Sequence, residues 1–125
     1  MFRSLLAAAA AAVIAAPTAA QEARPFPANA LRGELVVQQP PIVSVNGEAA
    51  RLAPGARIRG RDNLLVMSAS VVGVPLLVHY TVDDSGLVKD VWVLRDDEAA
   101  KAWPKTRDQA ARWAYDPATQ TWTRR

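Results

Sequence analysis

The chain has 125 residues, contains no cysteine and carries 15 basic against 12 acidic side chains. The absence of cysteine excludes a disulfide framework, a thiol nucleophile and a cysteine metal cluster. The positive excess is too small to indicate a nucleic-acid-binding protein. Nucleic acid is therefore not an expected partner, and any cationic binding surface must be a local patch.

The first 20 residues have the three parts of a secretory signal peptide. A positive charge at Arg3 precedes an apolar run over residues 5–16, and small residues stand at Thr18 and Ala20. The run is shorter than the roughly 20 residues that a helix needs to cross a bilayer, which disfavours a membrane anchor. We therefore predict export, cleavage after Ala20 and a periplasmic mature chain that has no transmembrane segment.

The remaining residues, 21–125, are enough for one domain. Two prolines flank Phe26 within residues 21–32. Proline favours extended backbone and cannot donate to a sheet, so this segment is predicted to be an extended arm that holds Phe26 against the domain.

Residues 33–95 are predicted to form the β domain. Short runs rich in β-branched residues alternate there with turn signals, namely Pro40-Pro41, Asn46-Gly47 and Pro54-Gly55. The spacing predicts a mainly β fold, a small antiparallel barrel or sandwich that is OB-like or SH3-like in plan.

The clearest strand pair is a predicted hairpin over residues 74–94. A two-residue loop at its turn would place His79 opposite Asp90. A bulge at the glycine of the turn would shift the register by one residue and place Val91 opposite His79 instead. The sequence leaves both registers open.

The last segment, residues 96–125, is predicted to be a short helical and turn tail that packs on the β domain. Three carboxylates at its start favour a helix that Pro104 ends. Thr106 with Gln109 three residues later is a capping-box pattern and begins a second short helix. Residues 120–125 are predicted to be either a final strand or a frayed end.

His79 is the only histidine, which excludes a histidine-based metal site. The acidic residues lack the alternating pattern of a calcium loop, so neither a metal nor a cofactor is expected. If His79 faces Asp90, the pair could act as a general base in a hydrolase. The alternative is an ordinary cross-strand polar pair, because no nucleophile motif accompanies it.

Three arginines, Arg57, Arg59 and Arg61, alternate with smaller residues. In a strand their guanidinium groups would share one face and could bind a phosphate, a carboxylated polymer or a nucleic-acid backbone. The alternative is a solvated edge strand whose charge discourages sheet-to-sheet association.

Three of the four tryptophans, Trp103, Trp113 and Trp122, lie in the tail together with Tyr115. They could form a stacking platform for sugar rings. The alternative is that they pack the tail against the sheet, because tryptophan is rarely left wholly exposed.

Several short motifs resemble those of an uncharacterised family of small exported proteins of Gram-negative bacteria. The motifs are Val43-x-Val45-Asn46-Gly47, Arg51-Leu52-x-Pro54-Gly55-Ala56-x-Ile58-Arg59, Asn63-x-Leu65-Val66-Met67, Tyr80-Thr81, Gly86-Leu87-Val88 and Val91-Trp92-x-Leu94. The resemblance covers about residues 26 to 95. It implies a periplasmic location and no particular activity.

Together these features favour a non-enzymatic binding or structural module of the cell envelope. Its expected partner is an envelope protein or polymer, bound through the three arginines or the tail tryptophans. A hydrolase that uses His79 with Asp90 is the first alternative. Oligonucleotide binding through an OB-like face is the second.

Overall fold

The computed structural model describes residues 23–124, so the predicted signal peptide and its cleavage after Ala20 lie outside the described residues. The fold is mainly β, with 48% of the described residues in strands and only short helices. In chain order the elements are β1 (Leu31–Gln39), β2 (Ile42–Val45), β3 (Glu48–Arg59), β4 (Leu65–Val66), a 3₁₀ helix (Ser68–Val71), β5 (Leu76–Val82), β6 (Val88–Val93), α1 (Asp96–Ala99), α2 (Arg107–Arg112), β7 (Trp113–Asp116) and β8 (Thr121–Arg124).

Five strands close into a barrel in the order β1-β2-β3-β6-β5 and back to β1, and the short strand β4 lies beside β3. Neighbouring barrel strands are antiparallel except β3 and β6, which are parallel. Counted along the chain, the five barrel strands therefore follow the order 1-2-3-5-4, the Greek-key connectivity of an OB-like barrel. The prediction of a small, mainly β barrel is confirmed.

Of the three predicted turns, those at Pro40-Pro41 and Asn46-Gly47 form and the one at Pro54-Gly55 does not. Asn46 and Gly47 have φ values of 53° and 84°, as the predicted hairpin turn requires. The turn expected at Pro54-Gly55 is wrong, because β3 runs through it with a register shift between Leu52 and Arg57. This bulge bends β3 so that its first half pairs with β2 and its second half with β6.

The barrel interior is filled with aliphatic side chains from all five strands. Inward-facing residues alternate with outward-facing ones, as the two-residue period of a strand requires. The buried members are Leu31, Leu35, Val37, Val43, Val45, Leu52, Ile58, Val78, Tyr80, Val88 and Val91, called the inner core below.

The hairpin of β5 and β6 has a register that the sequence did not predict. His79 lies opposite Trp92, and neither Asp90 nor Val91 is its partner. The turn over residues 83–87 is longer than two residues, and β5 has a further irregularity near its end. Each shift moves the pairing by one residue, so both predicted registers are wrong.

The tail contains both predicted helices and a two-stranded sheet. The Oγ1 of Thr106 accepts a hydrogen bond from the backbone N–H of Gln109 at 3.1 Å, which confirms the predicted cap. β8 pairs with β7, a strand that the sequence did not predict. The first two residues of β7 read as the end of the second helix and the last two as part of a turn. Within residues 23–124, no helix is long and apolar enough to span a membrane.

Candidate functional site

A second cluster of side chains covers the outer face of the barrel wall at β5 and β6. It is called the outer layer here and consists of the rings of Phe26, His79, Trp92 and Trp103 and the charged side chains of Arg24, Arg32, Arg95 and Glu98. Val78 and Tyr80 point into the inner core, so the alternation of β5 turns His79 outward. His79 is nevertheless only 1% exposed.

The rings of the outer layer fix the N-terminal arm and the tail on the barrel. Trp103 stacks on His79 with ring centroids 4.2 Å apart, and its Nε1–H donates to the carbonyl of Ala30 at 2.8 Å. Phe26 meets the rings of His79 and Trp92 nearly at right angles, at 4.5 and 5.7 Å. Such edge contacts add to the area that the rings bury.

Glu98 is the charged centre of the outer layer. Its carboxylate accepts two hydrogen bonds from Arg24, at 2.6 and 2.9 Å, and one from the backbone N–H of Arg95 at 2.8 Å. Arg24 also donates to the carbonyls of Gly60 and Val93, both at 2.8 Å. Burial raises the pKa of Glu98, but the bonds from Arg24 and Arg95 outweigh it and leave the pKa below its usual value. The ionised carboxylate therefore ties α1 to the arm and the barrel.

Arg32 is buried at 8% exposure, and no carboxylate in the described part of the chain pairs with it. Its N–H groups donate to the backbone carbonyls of Ala99 and Glu98 and to Nε2 of His79, at 3.0 to 3.2 Å. A guanidinium group only donates, so Nε2 is the acceptor and the ring proton of His79 lies on Nδ1. Among the described residues, Nδ1 has no hydrogen-bond partner.

The protonation state of His79 follows from this environment. Desolvation, with the neighbouring charges of Arg32 and Arg24, lowers the pKa of His79 to about 3. The imidazole is therefore neutral near pH 7, with Nδ1–H as a donor and Nε2 occupied by Arg32.

A cleft of about 160 Å³ opens beside the outer layer, between the arm, α1 and the turn that joins β7 to β8. Its apolar wall includes Phe26 and Trp103, and His79 also lines it. Its polar wall includes Arg24, Arg95, Asp97, Glu98, Lys101, Thr119 and Gln120. The arrangement can hold a small molecule that is partly apolar and partly polar.

The tail tryptophans are packing residues in this structure. Trp103 is 5% exposed, and its ring lies 5.9 Å from Tyr115 and 5.8 Å from Trp122. Trp113 is half-buried beneath the guanidinium group of Arg124, at 5.2 Å. Because the rings contact one another or a covering side chain, they do not form an open stacking platform. Only Trp103 lines the cleft.

The predicted arginine stripe is split. Ile58 points into the inner core, so Arg57 and Arg59 share the outer face of β3. β3 ends at Arg59, and Arg61 lies in the turn before β4, so the expectation of three arginines on one strand face is wrong. Arg59 also approaches Asp90 at 3.9 Å.

Exposed apolar side chains lie next to these arginines. Leu64, Leu65 and Met67 are 66%, 69% and 78% exposed. Leu65 pairs with Arg59 across β3 and β4, which places the two side chains on the same face. The six residues Arg57, Arg59, Arg61, Leu64, Leu65 and Met67 are called the β4 surface below.

His79 and Asp90 do not form the predicted pair. His79 contacts Arg32 and the rings of the outer layer, whereas Asp90 contacts Arg59. No carboxylate in the described chain orients the imidazole of His79, and a base with a pKa of about 3 is a weak proton acceptor near pH 7. The geometry that the hydrolase hypothesis needs is absent from the described residues.

Sequence reasoning missed the residues that build the cleft. Arg24 lies in the proline-containing arm and Arg32 at the start of β1, whereas Glu98 lies far from both along the chain, in α1. For the two arginines, the available signal was a long charged side chain within two residues of Phe26 or Leu31. It could indicate burial but could not identify the partners.

No group of three or more His, Asp or Glu side chains within residues 23–124 could hold a metal ion. Comparisons of the chain with protein-family models, with curated proteins and with solved structures found no match.

Proposed function

We propose that this protein is a non-enzymatic binding module of the cell envelope, and that it docks an envelope protein on the β4 surface. The observation that carries the proposal is the exposure of Leu64, Leu65 and Met67 beside three arginines. Neighbouring apolar side chains left in water are typical of an interaction surface.

The composition of the β4 surface favours a protein partner. Protein interfaces are enriched in arginine and methionine and depleted of lysine and glutamate, and the β4 surface combines the first two types without the others. The two residues of β4 are also the last strand at one edge of the six-stranded sheet, where a partner strand can add by backbone hydrogen bonds. A partner with an acidic rim would complement Arg57 and Arg61.

The envelope location rests on the signal-peptide pattern and on the family resemblance. An exported module without an assembled catalytic pair fits a role in which the barrel presents a rigid surface. The barrel supplies that rigidity because β3, which carries two of the arginines, is paired along both edges.

The test is capture from envelope extracts by the full-length protein and by matched variants. The double variant L65E/M67E places carboxylates in the β4 surface and should lose more than tenfold of a captured protein, because apolar contact is replaced by charge. L77E is the control, because Leu77 is an exposed apolar residue of β5 that lies outside this surface.

Equal capture by L65E/M67E and the unchanged protein would contradict the proposal. Retention that nuclease treatment removes, and that falls steeply with salt, would replace it with oligonucleotide binding. The captured protein, once purified, must also bind the unchanged protein directly, and it must bind L65E/M67E more weakly.

A further inference from the structure

The side chains of the cleft divide into groups that are already paired and groups that are not. Both carboxylates of the cleft already accept hydrogen bonds. Glu98 accepts from Arg24 and Arg95, and Asp97 accepts from Nε of Arg95 at 3.2 Å. Among the side chains that line the cleft, three polar groups have no hydrogen-bond partner within residues 23–124: the buried Nδ1–H of His79, the exposed ammonium of Lys101 and the side-chain amide nitrogen of Gln120. All three groups are hydrogen-bond donors, so a ligand that complements the cleft must supply hydrogen-bond acceptors.

Cationic groups outnumber anionic groups at the cleft, which favours an anionic ligand. The cationic groups are Arg24, Arg32, Arg95 and Lys101, and the anionic groups are only Asp97 and Glu98. Arg32 lies directly behind His79 and is buried without a carboxylate partner among the described residues. A buried cation that lacks a counter-charge favours a negative charge nearby.

The size and the apolar wall restrict the ligand further. A cavity of about 150 Å³ holds one benzene ring, and the cleft measures about 160 Å³. Phe26 and Trp103 line one side and provide contacts for a ring or a short aliphatic body.

We propose that the cleft binds a small carboxylate with a ring-sized apolar body. Its oxygens accept from Lys101 and Gln120, and its body lies against Phe26, Trp103 and the ring of His79. The rest of the outer layer holds these groups in place, because Arg32 fixes the ring proton of His79 and Glu98 fixes Arg24.

This site is separate from the β4 surface and does not depend on the function proposed for it. No residue of the β4 surface lines the cleft. The L65E/M67E variant should therefore bind the carboxylate as the unchanged protein does, so the two proposals fail separately.

Benzoate is the probe, and benzyl alcohol, which has a similar ring but no charge, is its matched control. The readout is the ¹⁵N-detected ring signal of His79, which is unambiguous because the chain has one histidine. Benzoate should shift this signal to saturation, and benzyl alcohol should bind at least tenfold more weakly because it lacks the charge-assisted hydrogen bonds.

Two exposed lysines supply the variant test. K101Q should weaken benzoate binding about tenfold, because it removes the one cation of the cleft that has no partner in the described chain. K89Q, on β6 and outside the cleft, should leave binding unchanged. Both positions are exposed, so the variants should fold.

The proposal is overturned if benzoate gives no saturable shift, if benzyl alcohol binds equally well, or if K101Q and K89Q behave alike. A crystal structure grown with benzoate that shows no carboxylate within hydrogen-bond distance of Lys101 overturns it as well. A carboxylate within hydrogen-bond distance of Lys101 in that crystal, together with the K101Q loss in solution, supports it.

Discussion

The inner core and the outer layer lie on opposite faces of the same barrel wall and are built from different chemistry. The inner core is almost wholly aliphatic, and every strand of the barrel contributes to it. The outer layer combines rings with buried charges that come from the arm, β1, β5, β6 and α1. On β5 the two meet, with Val78 and Tyr80 inward and His79 outward, and all three side chains are buried.

The difference teaches how a small barrel gains a specific site. Aliphatic packing has little directional preference, so it closes the barrel without arranging polar groups. Buried charges must be paired and hydrogen-bonded, and each pair therefore fixes the positions of the segments that carry it. The inner core sets the shape, and the outer layer positions the side chains of the cleft.

The largest expected effect is that of breaking the charged centre of the outer layer. E98Q should cost about 3–5 kcal/mol of the free energy of unfolding, because it leaves Arg24 buried without its carboxylate. Chemical denaturation measures the change.

D97N is the matched control for E98Q. It also removes a partner of Arg95, but Asp97 is exposed and water screens the pair, so its effect should be small. Equal losses in the two variants would mean that burial does not distinguish the outer layer from the surface.

A core truncation tests the other side of the comparison. L35A should cost about 2–5 kcal/mol, because Leu35 is fully buried and its removal leaves a cavity. The loss should be the same at pH 7 and pH 5, since only aliphatic contacts are removed. Denaturation curves at both pH values decide this, and a loss that changes with pH would mean that the two layers are coupled.

The smallest expected effect is the pH dependence that His79 confers. The pKa of His79 is lowered from 6.5 to about 3 in the folded protein, so the unfolded chain binds a proton first as the pH falls. Stability is therefore complete above about pH 6.5 and decreases below it, by about 1–2 kcal/mol between pH 7 and pH 5. The lowered pKa of Glu98 acts in the same direction, but only below its usual range near 4.5.

The variant H79Q isolates this effect, because the chain has no other histidine. Its free energy of unfolding should be lower overall but nearly constant from pH 7 to pH 5. A slope that persists in H79Q would assign the titration to another group.

Much of the barrel was predictable from local sequence, but its pairing registers were not. The Asn46-Gly47 turn formed as predicted, because two consecutive positive φ values depend on these two residues alone. The bulge in β3 and the shifts in the β5–β6 hairpin depend on which strands compete for each edge during barrel closure. Two successive one-residue shifts separate His79 from Asp90.

The candidate site was predictable only in part. His79, Trp103 and the arginines of β3 were recognised as candidates, and two of these, His79 and Trp103, line the cleft. Arg24, Lys101 and Gln120 were not, because they lie at opposite ends of the chain and have no spacing relation to one another. The sequence could not predict the exposure of Leu65 and Met67 either, since β-forming residues have the same pattern in a central strand and in an edge strand.

The sequence by itself determined a mainly β fold and the turn at Asn46-Gly47, because hydrophobic alternation and backbone freedom are local properties. The tertiary structure decided which face of each strand is covered and which charges are paired. Burial and Coulomb interaction depend on distances between residues far apart in the chain, such as the 2.6 Å between Arg24 and Glu98. The outer layer, and with it the cleft, exists only because barrel closure brings the arm and the tail to the same wall.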